Sequence, residues 1–212
     1  ILFKDNTVRN AAYSAGFGIA TGSDDNLYLT GNEVYENPFA GFKLGTWGTK
    51  DSQEVPHTGQ ITISGEASYT FAGTAYTDGS PNKFYSNGRG GIVTGEVSTF
   101  SIIKNEIYDN GWGGIHTGWL EPLSSFTWPG GSTPAQMYIR TNKIYGKGTG
   151  TATAGGGIDV MYAYGAIENN LVYENNYAGM RVGDGVLSGM TIRHNTVADN
   201  GGGATPAASR VG

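Results

Sequence analysis

Asparagine recurs along this chain at a fixed place in a short motif, and this spacing constrains the fold more than any other feature. In each copy the asparagine follows a short apolar segment, and the residue two positions after it is always apolar. The asparagines stand at positions 6, 32, 82, 105, 142, 170 and 195, and four of the six gaps are close to 25 residues. A fixed period of this length indicates a structural unit that repeats and stacks on its own copies.

The rest of the motif is also regular. Its clearest copy spans residues 100–110 and is followed by the glycine-bounded segment 114–118. A second asparagine recurs five residues after the first, at Asn37, Asn87, Asn110, Asn175 and Asn200. A tyrosine occupies the third position after the first asparagine in five copies: Tyr35, Tyr85, Tyr108, Tyr145 and Tyr173. Stacked copies would turn the asparagines into amide ladders and the tyrosines into an outward stack of rings.

The apolar residues within each copy alternate with polar ones at a period of two, which is typical of short strands. A unit this thin cannot bury a core alone, so the pattern predicts an all-β, right-handed parallel β-helix of about 7–8 coils with loop insertions. The gap of 50 residues after Asn32 is interpreted as two coils, the extra one using residues 61–63, and the gap of 37 as one coil with an insertion. A β-propeller would need a longer period, and a sandwich has no reason to repeat this motif.

Composition narrows the classes of function. The chain has 36 glycines, which we assign to turns that need a positive φ, and no cysteine, which excludes disulfides and thiolate chemistry. The net charge of −5 without a basic run argues against a nucleic-acid partner. No apolar run reaches the roughly 18 residues of a membrane span. Residues 1–212 are expected to form a single domain, and because the first residues already match the middle of a repeat, we expect a segment of a longer, secreted or cell-surface protein.

These residues resemble the parallel β-helix repeats of the pectate-lyase-like superfamily, including the NosD-type and carbohydrate-binding sugar-hydrolase-type repeats. The resemblance covers nearly the whole chain. It implies the fold, and it implies one of several activities, because the superfamily includes polysaccharide lyases, glycoside hydrolases, uronan epimerases, phage tailspikes and non-catalytic surface proteins.

One outward column departs from the repeat. The glycine-bounded strand presents one outward residue per coil, and these are Ala20, Lys43, Val93, His116, Asp159 and Arg181. Strand stacking would place the last three at steps of about 5 Å. The resemblance implies that lyases and epimerases carry their catalytic residues on one such face.

This set suits chemistry on a uronic acid. Arg181 is predicted to clamp the carboxylate, His116 to act as base or acid, and Asp159 to orient His116 or bind a cation. Asp159 and Arg181 could instead form an ordinary cross-strand ion pair. Hydrolysis is less favoured because it needs two spaced carboxylates, and Asp159 with Asp184 is the one pair available near this face.

Aromatic residues supply further candidates. Two insertions, 46–60 and 118–136, are expected to leave the same strand end, and they carry Trp47, His57, Trp119, Phe126 and Trp128. We predict that substrate binds through these aromatics and their neighbours, with packing against the solenoid as the alternative role. The predicted substrate-binding residues are Lys43, Trp112, Trp119, Trp128 and Tyr108. No metal site is predicted with certainty, but Asp24, Asp25 and Asp184 are candidate Ca²⁺ ligands.

Three functions follow from different classes. The first is an extracellular enzyme of lyase or epimerase type that acts on an acidic polysaccharide. The second is a non-catalytic glycan-binding or adhesin module, which needs only the aromatic residues. The third is a structural solenoid that self-associates end to end or side by side, as uncapped strand edges allow.

Overall fold

A computed structural model provides the structure of the protein and describes residues 1–12, 15–19, 26–44, 57–94, 97–117, 135–146, 156–160, 163–183 and 189–201. Within these ranges the regular secondary structure consists of strands, and they are mostly three residues long because each side of a coil is short. In chain order they are β1 (Leu2–Lys4), β2 (Thr7–Arg9), β3 (Phe17–Ile19), β4 (Leu27–Thr30), β5 (Glu33–Tyr35), β6 (Phe42–Leu44), β7 (His57–Ser64), β8 (Tyr69–Phe71), β9 (Thr74–Tyr76), β10 (Lys83–Tyr85), β11 (Gly90–Thr94), β12 (Val97–Ile103), β13 (Glu106–Tyr108), β14 (Gly113–Thr117), β15 (Ala135–Arg140), β16 (Lys143–Tyr145), β17 (Ile158–Val160), β18 (Ala163–Glu168), β19 (Leu171–Tyr173), β20 (Met180–Val182), β21 (Thr191–Arg193) and β22 (Thr196–Ala198).

Three parallel sheets run along the stack. Sheet A has the order β1-β4-β7-β12-β15-β18-β21, sheet B the order β2-β5-β10-β13-β16-β19-β22, and sheet C the order β20-β17-β14-β11-β6-β3. Each coil contributes one strand to each sheet in turn, apart from the last coil, which contributes to sheets A and B within the described residues. The predicted parallel β-helix is therefore confirmed, with seven coils in the part of the chain that the structure describes.

The core is a column of apolar side chains enclosed by the three sheets. Alternate residues of each strand point inward, and the largest of them, such as Phe42, Phe84 and Phe100, are completely buried. Full burial of a side chain of this size contributes about 1.5–3 kcal/mol. Because every coil adds its own apolar residues to the same column, stability rises coil by coil.

Both predicted amide ladders are present. The first joins the amides of Asn6, Asn32, Asn82, Asn105, Asn142, Asn170 and Asn195, with Nδ2 to Oδ1 distances between 2.8 and 3.1 Å. It lies at the bend between sheets A and B. The second lies after sheet B, where Asn37, Asn87 and Asn110 are joined at 2.9 Å, as are Asn175 and Asn200. The ladders pair polar groups that the sharp bends would otherwise bury without partners.

The bends themselves depend on residues with a positive φ, and most of these are not glycine. Eleven non-glycine residues immediately before a ladder position have φ between 51 and 57°. Examples are Lys104, Thr141 and Glu174. The prediction that glycine supplies the positive φ of the turns was therefore wrong for most bends. Glycine is needed instead for space: in or directly before a sheet C strand, a β-carbon at Gly91, Gly114 or Gly157 would lie 2.3–2.4 Å from a branch carbon of an inward sheet B residue.

The interval between Asn32 and Asn82 forms one coil, and its interpretation as two coils was wrong. The Asn32 amide donates directly to Asn82 at 2.9 Å, and β5 pairs with β10. Residues 61–63 belong to β7 of that same coil, which lies in sheet A. The extra length includes the antiparallel hairpin β8–β9, inserted between sheets A and B. Among the described residues no helix is long and apolar enough to cross a membrane.

Candidate functional site

The outward column of sheet C is in the predicted register from its second coil onward. Lys43 pairs with Val93, Val93 with His116, His116 with Asp159, and Asp159 with Arg181. In the first coil Gly18 occupies this position, because Gly18 is the partner of Lys43. The assignment of Ala20 to the column was wrong, since it was counted two residues too far along the chain.

His116, Asp159 and Arg181 form one connected group. Arg181 makes a bidentate contact with the Asp159 carboxylate. Its Nε donates to Oδ1 at 2.9 Å and its Nη2 donates to Oδ2. On the other side of Asp159, the same Oδ2 lies 3.6 Å from Nδ1 of His116. The carboxylate therefore stands between the imidazole and the guanidinium, on three consecutive coils.

The environment keeps Asp159 ionised. Burial alone raises the pKa of this carboxyl, but the His116 ring and the Arg181 guanidinium beside it lower the pKa by more, so that it lies below its ordinary value. An ionised Asp159 thus lies beside the imidazole edge that carries Nδ1 of His116, at 3.6 Å.

A pH dependence of stability follows from Asp159. Its pKa is lower in the folded chain than in the unfolded one, so its contribution is present above the unfolded value of about 3.9 and is lost as the pH falls through the folded value. We expect the stability difference between the wild type and Asp159→Asn to be largest near neutral pH and to shrink as the pH falls from about 3.9 through the lower folded pKa. Urea unfolding at a series of pH values measures it, and a difference that does not change with pH would contradict this.

The His116 ring is enclosed, although it lies on an outward position. His116 is 1 % exposed and Asp159 is 2 % exposed, whereas the Arg181 side chain is 47 % exposed. Neither ring nitrogen of His116 makes a hydrogen bond. The ring leans over Gly90 of the preceding coil, where an added β-carbon would lie 3.2 Å from its Cδ2. Gly90 thus provides part of the space that His116 occupies.

An arginine-paired carboxylate alone does not define a site in this fold. On sheet A, Glu168 is 6 % exposed, and its oxygens lie 2.6 Å from Nε of Arg193 and 3.1 Å from Nε of Arg140. That group is a structural ion-pair network. The group on sheet C differs because a buried histidine adjoins the carboxylate.

A cationic and aromatic row lies at the turns that lead into sheet C. The Arg89 guanidinium is 4.5 Å from the ring centre of Phe39 and 4.3 Å from that of Trp112, so it is held between two rings. The Lys43 amine is 5.5 Å from the ring centre of Phe39. Two predicted substrate-binding residues, Lys43 and Trp112, are thus brought into one row with Arg89.

Sequence reasoning missed Arg89 and Gly90. A signal was available, since Phe39, Arg89 and Trp112 each stand two residues after an asparagine of the second ladder. Alignment on that asparagine would have revealed the row.

Tyr108 lies in the tyrosine stack of sheet B, away from sheet C. Its ring is 4.8 Å from that of Tyr85 and 5.2 Å from that of Tyr145, nearly parallel to both. The predicted stack of rings is therefore present. Both faces of Tyr108 are covered, so any contact with a substrate would use the edge of the ring and the hydroxyl.

Several predicted residues lie outside the described part of the chain. These are Trp47, Trp119, Phe126, Trp128, Asp24, Asp25 and Asp184. The two long insertions do leave equivalent strand ends, because Leu44 and Thr117 both pair with Thr94. They end earlier than predicted, since β7 begins at His57 and β15 at Ala135. Within the described ranges no cluster of three or more His, Cys, Asp or Glu residues could hold a metal ion.

The fold and this group define the chain as a parallel β-helix protein with a polar group on the outer face of one sheet. Comparison with protein-family models, with curated proteins and with solved structures finds no match.

Proposed function

We propose that the outer face of sheet C binds an acidic polysaccharide and that His116, Asp159 and Arg181 carry a lyase or C5-epimerase reaction on it. The observation that supports this most strongly is the connected group of three side chains on consecutive coils. The chain would then be an extracellular member of the pectate-lyase-like superfamily, in keeping with the resemblance of its repeats.

The charges around this group favour an acidic ligand. The chain has a net charge of −5, yet Lys43, Arg89 and Arg181 lie on or beside sheet C, with Asp159 as the anion of the column. Arg181 is the most accessible member of the group. Its guanidinium can neutralise a uronate carboxylate, although a bidentate clamp through Nε and Nη2 requires exchange with Asp159.

The proposed reaction begins with removal of the C5 proton of a uronic acid by His116. In elimination the electron pair of that C–H bond forms the C4–C5 double bond while the C4–O bond breaks, and the leaving oxygen takes up a proton from the imidazolium or from water. In epimerisation water supplies a proton to C5 from the opposite face, and the imidazolium gives its proton to solvent. Asp159 stabilises the imidazolium that forms, and Arg181 stabilises the charge on the substrate carboxylate.

The burial of His116 places a condition on this proposal. A ring that is 1 % exposed meets a sugar only after the side chains over it move apart, so the reaction requires an opening step.

The same burial favours a second candidate, a glycan-binding module without catalysis. In that case the partly exposed Lys43, Trp112 and Arg181 contact the glycan, and Asp159 with His116 only supports Arg181.

An absorbance assay tests the lyase form of the first candidate against the binding module. The chain is incubated with a panel of uronate polysaccharides, with and without calcium, and the unsaturated product is followed in the ultraviolet. We expect a signal that falls by about 10²–10⁴-fold in His116→Ala, the usual contribution of a general base. Glycan binding measured in parallel should persist in His116→Ala and weaken in Arg181→Ala. Uronate binding in the wild type without an unsaturated product would exclude the lyase reaction on these substrates and leave the binding module and the epimerase, which forms no double bond.

A further inference from the structure

Sheet A carries a second groove, on a different side of the solenoid. The inserted hairpin β8–β9 stands beside the outer face of sheet A, and between them lies a groove of about 570 Å³. This volume is within the range of ligand-binding pockets, about 300–1,000 Å³. An ion pair between Lys4 of β1 and Asp78 beyond the hairpin helps to fix the insertion to the stack.

One wall of the groove is aromatic. Tyr28 of sheet A stacks on Tyr69 of the hairpin, with ring centres 4.4 Å apart, and Tyr69 stacks on Tyr76 at 4.9 Å. Phe71 packs at an angle against Tyr28 at 6.1 Å and is only half-buried. Phe71 is the ring of this wall that the apolar C–H face of a sugar can reach, because Tyr28 and Tyr69 are only 6 % and 7 % exposed and stack on each other.

The floor of the groove consists of uncharged hydrogen-bonding groups. Asn26, Gln60 and Thr62 line it, and Gln60 is exposed. Among the described lining residues the charged groups are the Glu66 carboxylate and the amino group of Ile1. With no lysine or arginine side chain in that lining, the groove is poorly suited to a carboxylate or phosphate ligand.

Uncharged hydrogen-bonding side chains continue along sheet A beyond the groove. The column that contains Tyr28 goes on through Thr62, Ser101 and Tyr138. The adjacent outward column runs through Gln60, Thr99, Gln136 and Tyr164. Both columns offer hydroxyls and amides at the strand spacing of about 4.8 Å. One polar contact is already formed within them, from Gln136 Nε2 to the Tyr138 hydroxyl at 2.7 Å.

We propose that this face of sheet A is a binding site for a neutral polysaccharide, which lies along the stack with one end in the groove beneath the hairpin. Three features support this binding site: an aromatic wall, an uncharged polar floor, and two columns of hydroxyl and amide groups that extend the floor. The site is distinct from the sheet C column that carries Lys43, Asp159 and Arg181.

Calorimetric titration of the whole 212-residue chain tests this proposal. The probes are neutral hexasaccharides of glucose, xylose, mannose and galactose, with an oligogalacturonate of the same length for comparison. We expect at least one neutral probe to bind with a Kd below about 1 mM. Phe71→Ala, which removes part of the wall, should weaken that binding at least about tenfold.

A second variant tests whether Phe71→Ala weakens binding only because the hairpin unfolds. Thr62→Phe fills the groove from β7 and should weaken binding to a similar degree. Leu171→Ala, at a residue 39 % exposed on sheet B, is the control and should bind as the wild type does. The proposal is overturned if no neutral probe binds, if binding survives both groove variants, or if the oligogalacturonate alone binds in a Phe71-dependent way.

Discussion

Replacing Asn142 by alanine is expected to destabilise the fold by about 3–5 kcal/mol, because several buried polar groups lose their partners at once. The Asn142 amide donates to the Ile102 carbonyl at 2.9 Å and to Asn170 Oδ1 at 3.0 Å. Its oxygen accepts from the backbone and the side chain of Asn105, at 3.0 and 3.1 Å. Alanine removes all four bonds at a position that is 1 % exposed. Urea unfolding measures the difference.

Asn6 provides the matched control within the same ladder. It is exposed, and its side chain makes one ladder bond, to Asn32 at 2.9 Å. Asn6→Ala should therefore cost less than about 1 kcal/mol. Equal losses in the two variants would show that the ladder does not act through buried hydrogen bonds.

Gly114→Ala is expected to destabilise the fold by about 2–3 kcal/mol through overpacking. A β-carbon there would lie 2.3 Å from Ile144 Cγ2 and 2.6 Å from the carbonyl oxygen of Gly157, both in the next coil. The Ile144 side chain is fully buried and the carbonyl belongs to the backbone, so neither can yield easily. The change should appear as a lower urea midpoint.

Gly18→Ala tests whether the loss in Gly114→Ala arises from space rather than from the loss of a glycine. Gly18 also lies in sheet C, but a β-carbon there would meet no atom within 4 Å. We expect a change within about 0.5 kcal/mol, as for other surface substitutions. If Gly18→Ala is as destabilising as Gly114→Ala, the steric explanation fails.

The sequence was sufficient to predict the ladders and the register because both follow from residue spacing. A ladder asparagine must stack on the next one, so counting from Asn105 to Asn142 and Asn170 aligns the strands of sheets A and B that flank them. The glycine-bounded motif placed His116, Asp159 and Arg181 on neighbouring strands. It was two residues out at Ala20, where the glycine pattern of the first coil is less regular.

The sequence misled where a feature depends on contacts between coils. Residues 61–63 match the apolar pattern of a new coil, and only the pairing of β5 with β10 shows that they belong to the same coil as β10. The absence of any asparagine between Asn37 and Asn82 was the available warning. The role of Gly114 was missed for the same reason, because the side chain that fills its space comes from another coil.

The burial of His116 was beyond the reach of the sequence. Alternation along β14 shows that the side chain points out of the core, and it does. Whether an outward side chain is open to solvent depends on neighbouring turns, such as the one that places Gly90 against the ring. Strand periodicity carries no information about these contacts.

Removal of the C5 proton is the step that lyases and epimerases share, and its detection in deuterated water tests the proposed chemistry most directly. The chain is incubated with uronate polysaccharides in D₂O, and the products are examined by nuclear magnetic resonance. We predict deuterium at C5 or a 4,5-unsaturated end group, and neither in His116→Ala. Uronates that bind but show no deuterium at C5 and no unsaturation, or products that persist in His116→Ala, would contradict the account.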